Sequence, residues 1–172
     1  WMTPRDLRQA KIGQCLYISL IDQNAGMIND PILLKLADDH FWLSIADSDV
    51  LLWAKGISLG FGFDVIVDEP DVSPLAVQGP SAEMLMEKVF GPCVRNISFF
   101  HFDTVDFNGN HLRVSRSGYS KQDGFEIYLN KSSLGIDLWD TLWEAGKEFN
   151  IAPGYPNLVE RVEGGLLSYG NE

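Results

Sequence analysis

Short connections constrain this chain more than any other feature. Residues 15–21, Cys-Leu-Tyr-Ile-Ser-Leu-Ile, read as a strand dense in apolar and aromatic side chains, with further strands over 32–36 and 41–46. A polar turn through Asp22, Gln23 and Asn24 to Gly26 separates the first two, and Asp38-Asp39 separates the next pair. Parallel neighbours need a crossover of about a dozen residues, so these strands must run antiparallel. Asp47 or Ser48 can cap a helix reaching Leu59, where Gly60 and Gly62 stop it, and another strand is predicted over 65–67.

Beyond that point Pro70 and Pro74 bracket a loop ahead of an extended segment at 75–78. Ser81 opens a helix in which Leu85/Val89 and Met86/Phe90 pair at i,i+4, and Gly91 ends it. Residues 97–129 hold three more strand candidates, the last over 125–129. The final strong helix covers 133–149, with Leu134, Leu138, Leu142, Ala145 and Phe149 on one face. The expected architecture is therefore α+β, antiparallel sheets with helices on one face. The order of elements suggests two related modules packed together, over about 1–70 and 71–172, although no repeat in the residues themselves marks them.

Composition supplies exclusions. A net charge of −11 argues against a broad nucleic-acid surface, which needs clustered Lys and Arg. Apolar residues at 45% are enough for a core, yet no apolar run approaches the ~18 residues of a membrane span. Cys15 and Cys93 offer neither a Cys-x-x-Cys pair nor a disulfide framework, which fits reduced thiols in a cytoplasmic protein. No positively charged leader with an apolar segment is visible. His40, His101 and His111 are isolated, so no metal is expected.

The run Gly56-x-x-x-Gly60-x-Gly62 lacks both the dinucleotide spacing and the Lys-Ser/Thr ending of a phosphate loop, and no Gly-x-Ser-x-Gly elbow appears. Two segments can carry chemistry instead. In Asn24-Ala25-Gly26-Met27-Ile28-Asn29-Asp30-Pro31, Asp30 sits where a turn enters a strand and can face a groove; a solvated turn aspartate is the competing reading. In the second segment, 115–128, alternation sets Phe125 and Ile127 on one face and Glu126 with Tyr128 on the other. A carboxylate beside a phenol suits a planar heterocycle, accepting from its N–H groups while the aromatic packs on the ring. The polar outer face of a half-buried sheet would look the same.

Arg116-Ser117-Gly118-Tyr119, three further positions, then Asp123-Gly124-Phe125-Glu126 resembles the signature of the folate-dependent aminomethyltransferase family, which includes the glycine-cleavage T-protein. Gly13-Gln14, Tyr17, the turn from Gly26 to Asp30, Val77-Gln78-Gly79-Pro80, Arg161-Val162-Glu163 and Tyr169-Gly170-Asn171 fall in the family's order. The resemblance covers essentially the whole chain. Departures from the T-protein are Asn29 in place of its first paired acid, Ile45-Ala46-Asp47-Ser48-Asp49, Ser120-Lys121-Gln122 and Tyr155-Pro156-Asn157-Leu158-Val159. These replacements, with Glu163-Gly164-Gly165-Leu166-Leu167-Ser168, resemble the dimethylsulfoniopropionate demethylase branch of the family.

That resemblance implies a folate-binding domain of two ferredoxin-like modules, and methyl transfer from a sulfonium sulfur to N5 of tetrahydrofolate, giving methylthiopropionate and methyltetrahydrofolate. It assigns Asp30 to the charge at N5, Tyr128 to the reaction centre and Glu126 to the pterin's amino edge. Tyr17, Phe99 and Tyr119 would wall the groove, Ser44 would touch substrate, and Arg161 would bind the folate or act as a structural ion pair. Lys121, Arg113 and Arg116 are the candidates for an anionic folate tail. The implied partners are the sulfonium substrate and folate, with no nucleic acid, no membrane and room for a homodimer. The alternatives are a glycine-cleavage aminomethyltransferase and a non-catalytic folate-binding module. Residues 1–172 are expected to be an internal, incomplete piece of the folate-binding domain.

Overall fold

The computed structural model describes residues 1–45, 49–155 and 157–171. The chain divides into two compact units, one of Trp1–Pro70 with Leu167–Glu172 and the other of Asp71–Leu166. In the first, β1 (Cys15–Tyr17), β4 (Ile32–Lys35) and β5 (Phe41–Ser44) form an antiparallel sheet in the order β1-β4-β5. A separate ribbon pairs β2 (Leu20–Ile21) with β3 (Met27–Asn29). Ile18, Leu20, Leu33 and Val50 make the buried cluster.

The predicted strand 15–21 is thus two strands. Between them the Ile18 N–H leaves the β1 register and donates to the Pro31 carbonyl (3.0 Å). The Asp22 carboxylate closes the following turn, accepting from the N–H groups of Asn24 and Gly26 at 2.8 Å each. Helix α1 (Val50–Phe61) is found, and Gly62 ends it in the left-handed conformation (φ 67°). Asp49 occupies its N-cap, and the predicted caps Asp47 and Ser48 lie outside the described residues. The strand predicted over 65–67 is absent: Val65 donates to the Phe63 carbonyl in a local turn and Ile66 is 94% exposed, so alternation there has no ladder to join. Phe61 instead stacks on Trp1, centroids 4.5 Å apart, and on Phe63 at 5.6 Å.

The second unit holds the larger sheet, β6 (Ser73–Gln78), β9 (Gly124–Leu129), β8 (Asn110–Ser115) and β7 (Phe102–Phe107), in the order β6-β9-β8-β7 and wholly antiparallel. Pro74 lies inside β6 rather than in the loop expected for it; an edge strand tolerates a residue with no N–H. Helices α2 (Ala82–Phe90) and α3 (Gly135–Gly146) supply Leu85, Met86, Leu138 and Leu142 to a core completed by Leu112, Val114, Phe125, Ile127 and Leu129. Single 3₁₀ turns flank α3, so the helix predicted over 133–149 is a shorter α-helix with tightened ends. A short helix α4 (Leu158–Glu163), absent from the sequence reading, is capped by the Asn157 side chain accepting from the Val159 N–H. Among the described residues no helix is long and apolar enough to cross a membrane.

Candidate functional site

In the first unit, candidate residues gather where β1 ends and β4 begins. Asp30 follows β3 and precedes Pro31, and the Tyr17 hydroxyl at the end of β1 donates to Asp30 Oδ2 at 3.1 Å. Asn29, only 1% exposed, accepts the Asp30 N–H on its own Oδ1 at 2.7 Å. The phenol orients the Asp30 carboxylate through a charge-assisted bond, while Asn29 holds the Asp30 backbone. Ser44 closes β5, opposite Ile32 in the register. An open cleft of about 430 Å³ in this unit is lined by Asp22, Gln23, Ile28, Asp49, Trp53 and Tyr169, and takes in none of the expected site residues.

In the second unit, a separate group of candidate residues lies on the sheet. Phe125 and Ile127 are fully buried in the core, which leaves Glu126 and Tyr128 on the opposite face, as alternation requires. Register sets Ser115 and Ala76 opposite Glu126, and Arg113 and Pro74 opposite Tyr128. Ser117, 3% exposed, donates its hydroxyl to Glu126 Oε2, and Ser115, fully buried, meets the Ser117 hydroxyl at 2.6 Å. Burial pushes the Glu126 carboxyl up from its ordinary value, and the bond from Ser117 partly offsets that rise. Burial also disfavours the charge on Arg113.

A loop between β8 and β9 delivers Ser117. Arg116 ties it down, donating to both oxygens of Asp123 (3.2 and 2.5 Å) and reaching Glu83 on α2 at 2.9 Å, with its guanidinium 5.4 Å from the Phe125 ring centroid. Arg116 is therefore committed to two carboxylates, which removes it from the candidates for an anionic tail. The Gln78 amide crosses beneath the loop, donating to the carbonyls of Ser117 (3.1 Å) and Phe125 (3.2 Å) and accepting from Ser120 (3.0 Å). Tyr119 sits on this loop, 38% exposed. Phe99 precedes β7, 70% exposed and edge-on to Phe100 (4.7 Å). Arg161, 7% exposed on α4, donates to the Leu166 carbonyl (3.2 Å) and fastens the chain leaving that helix.

The structure thus joins Tyr17 to Asp30 in one unit and gathers Glu126 and Tyr128 on one sheet face in the other. Sequence reasoning overlooked Ser115, Ser117 and Gln78 as partners. Their contacts depend on the β8–β9 register and on the path of the 116–123 loop, neither of which alternation within one strand reveals.

Residues 1–172 match the family model of the GCVT N-terminal domain. The chain belongs to this family. Among curated GCVT-type relatives, it is 53% identical to dimethylsulfoniopropionate demethylase DmdA of Ruegeria pomeroyi over 99% of its own length and 47% of that protein. It is 34% identical to an aminomethyltransferase of Thermoanaerobacter sp. strain X514, over 97% of this chain and 47% of the relative. The chain therefore spans about half the length of these curated relatives. The crystal structure of glycine cleavage system aminomethyltransferase T from Bartonella henselae matches it with a TM-score of 0.70 at 30% identity, over 83% of this chain and 38% of that one. The mixed α+β architecture with antiparallel sheets is that of the GCVT N-terminal domain.

Proposed function

We propose that the protein demethylates dimethylsulfoniopropionate, passing the methyl group to tetrahydrofolate in the cytoplasm. The observation that carries this reading is the 53% identity to a dimethylsulfoniopropionate demethylase along 99% of the chain, against 34% to an aminomethyltransferase. The donor set fits the folate: a carboxylate with one oxygen taken by Ser117 keeps a second acceptor for the N–H edge of a pterin, and Tyr128 shares its sheet face. Bound tetrahydrofolate supplies a nucleophilic secondary amine, N5, which takes the methyl carbon while the electron pair of the broken C–S bond stays on sulfur.

A sulfonium is a good leaving group, so the protein's task is alignment and charge management. Asp30 stabilises the positive charge that moves from sulfur to N5 and takes the proton that N5 must shed. Tyr17 holds the Asp30 carboxylate in one orientation for that role. Glu126 and Tyr128 orient the heterocycle, Phe99 and Tyr119 supply aromatic walls, Ser44 contacts the donor, and Arg161 keeps the α4 segment in place. An aromatic wall also attracts a sulfonium, by ~0.5–2 kcal/mol.

The test incubates the protein with tetrahydrofolate and dimethylsulfoniopropionate and follows methylthiopropionate and 5-methyltetrahydrofolate together. Stoichiometric appearance of both is expected. No methylthiopropionate, with turnover of an aminomethyl-lipoyl donor instead, would transfer the protein to the glycine-cleavage reaction.

A further inference from the structure

Glu126, Ser117 and Ser115 form a row of three oxygens whose direction can be worked out. Ser117 has one hydroxyl proton, and it goes to Glu126 Oε2. Ser117 can then only accept from Ser115, across 2.6 Å. Proton order therefore runs from Ser115 to Ser117 to Glu126 whenever Glu126 is ionised. If Glu126 takes up a proton on Oε2 and donates it along the row, the Ser117 hydroxyl must turn away and no longer donates to the carboxylate. Ser115 and Ser117 are 0% and 3% exposed, so water competes poorly for either.

The anchoring of Ser117 is independent of that row. Its carbonyl is held by Gln78 Nε2, and its neighbour Arg116 is clamped to Asp123 and Glu83. The hydroxyl is thus fixed from the backbone side rather than by Glu126. We propose that Ser117, aligned by Ser115, is a positioning residue that presents Glu126 as an oriented acceptor with only Oε1 left for a ligand's N–H edge. The ligand in question is the pterin of the reading above, on which this inference rests.

The charge environment leaves few groups to compete with the serines. On this sheet face of the unit, β9 contributes Tyr128, β8 contributes Arg113 and His111, β7 contributes Asp106, and β6 places only Pro74, Ala76 and Gln78 there. Arg113 is displaced by two residues from the position opposite Glu126, where Ser115 stands. Burial favours the protonated carboxyl and the Ser117 bond opposes it, so removing that bond must shift Glu126 towards the protonated form.

The experiment uses the protein labelled with ¹³C at the glutamate carboxyls, with Glu126→Gln assigning the signal. Wild type, Ser117→Ala, Ser117→Thr and Ser115→Ala are titrated without ligand, and the KM for tetrahydrofolate is then measured against pH. Ser117→Ala should move the Glu126 midpoint upward and raise KM roughly tenfold at neutral pH. KM should recover at higher pH and kcat at saturating folate should change little. Ser117→Thr should restore both readouts, and Ser115→Ala should shift them in the same direction by less. Unchanged midpoints in Ser117→Ala, or in Ser115→Ala should the first variant not fold, would overturn the inference. Wild-type protein that fails to bind tetrahydrofolate would instead overturn the folate reading, while the midpoints still decide the role of the serines.

Discussion

Gly124→Ala tests the geometry that brings Glu126 to the sheet. Gly124 opens β9 opposite Gln78, and an added Cβ would lie 2.5 Å from the Val77 carbonyl oxygen and 2.7 Å from the Gln78 amide. Backbone oxygen cannot swing aside. Relief requires β6 and β9 to part near the bond from the Gly79 N–H to the Asp123 carbonyl (2.9 Å), or Gln78 to abandon the carbonyls of Ser117 and Phe125. Overpacking costs ~1–3 kcal/mol and each neutral bond lost ~1, so a loss of about 2–4 kcal/mol is expected. For a unit of roughly 100 residues that lowers Tm by ~10 °C or more. Urea and thermal unfolding measure it, with Gly56→Ala as control: nothing lies within 4 Å of its new Cβ, and an exposed helical glycine gains ~0.5–1 kcal/mol. A loss below ~1 kcal/mol in Gly124→Ala, beside the expected gain in the control, would refute the close β6–β9 approach.

Glu126→Gln should stabilise the fold at neutral pH while weakening folate binding. The native carboxyl holds its proton to higher pH than the unfolded one, so stability falls as pH rises from the ordinary carboxylate value towards the folded one, and the variant's unfolding curves should lack that fall. Tyr17→Phe removes one bond to Asp30; it should cost about 1 kcal/mol of stability and lower kcat more than the KM for tetrahydrofolate, read by steady-state kinetics. Arg116→Met should cost ~1 kcal/mol at neutral pH, the Asp123 carboxylate being largely exposed. Arg116 holds the Asp123 carboxyl below its ordinary value, so that stabilisation is present above the ordinary value and lost as pH falls through the folded one; acid unfolding of the variant should be correspondingly flatter.

Local chemistry made part of this fold readable and long-range register hid the rest. The i,i+4 pairs of α2 and the Gly91 stop suffice to place that helix, because both signals lie within one segment. Strand 125–129 was legible for the same reason: Phe125 and Ile127 alternate with Glu126 and Tyr128 inside one run. The break at Ile18 was not, since it depends on Pro31 thirteen positions away supplying a carbonyl. Val65, Ile66 and Val67 failed as a strand because β-branched content marks a segment able to pair, and among the described residues no strand of that unit takes it up. At the site, resemblance pointed to Glu126. That a serine pair meets its buried side depends on a loop crossing from β8, which no single-strand pattern contains.

The signature that ties the chain to its family gains a physical meaning from these contacts. Of Arg116-Ser117-Gly118-Tyr119 and Asp123-Gly124-Phe125-Glu126, Arg116 and Asp123 pair with each other, and Phe125 fills the core beneath the Arg116 guanidinium. Gly118 and Gly124 leave the space that the Gln78 amide occupies; a side chain at either would strike it. Ser117 spends its proton on Glu126. Six of these eight positions therefore serve Glu126, building a loop around one half-buried carboxylate in the middle of an interior strand. Exchanging Asn29, whose Oδ1 accepts the Asp30 N–H, tests whether the choice between methyl and aminomethyl donors rests on residues outside this loop.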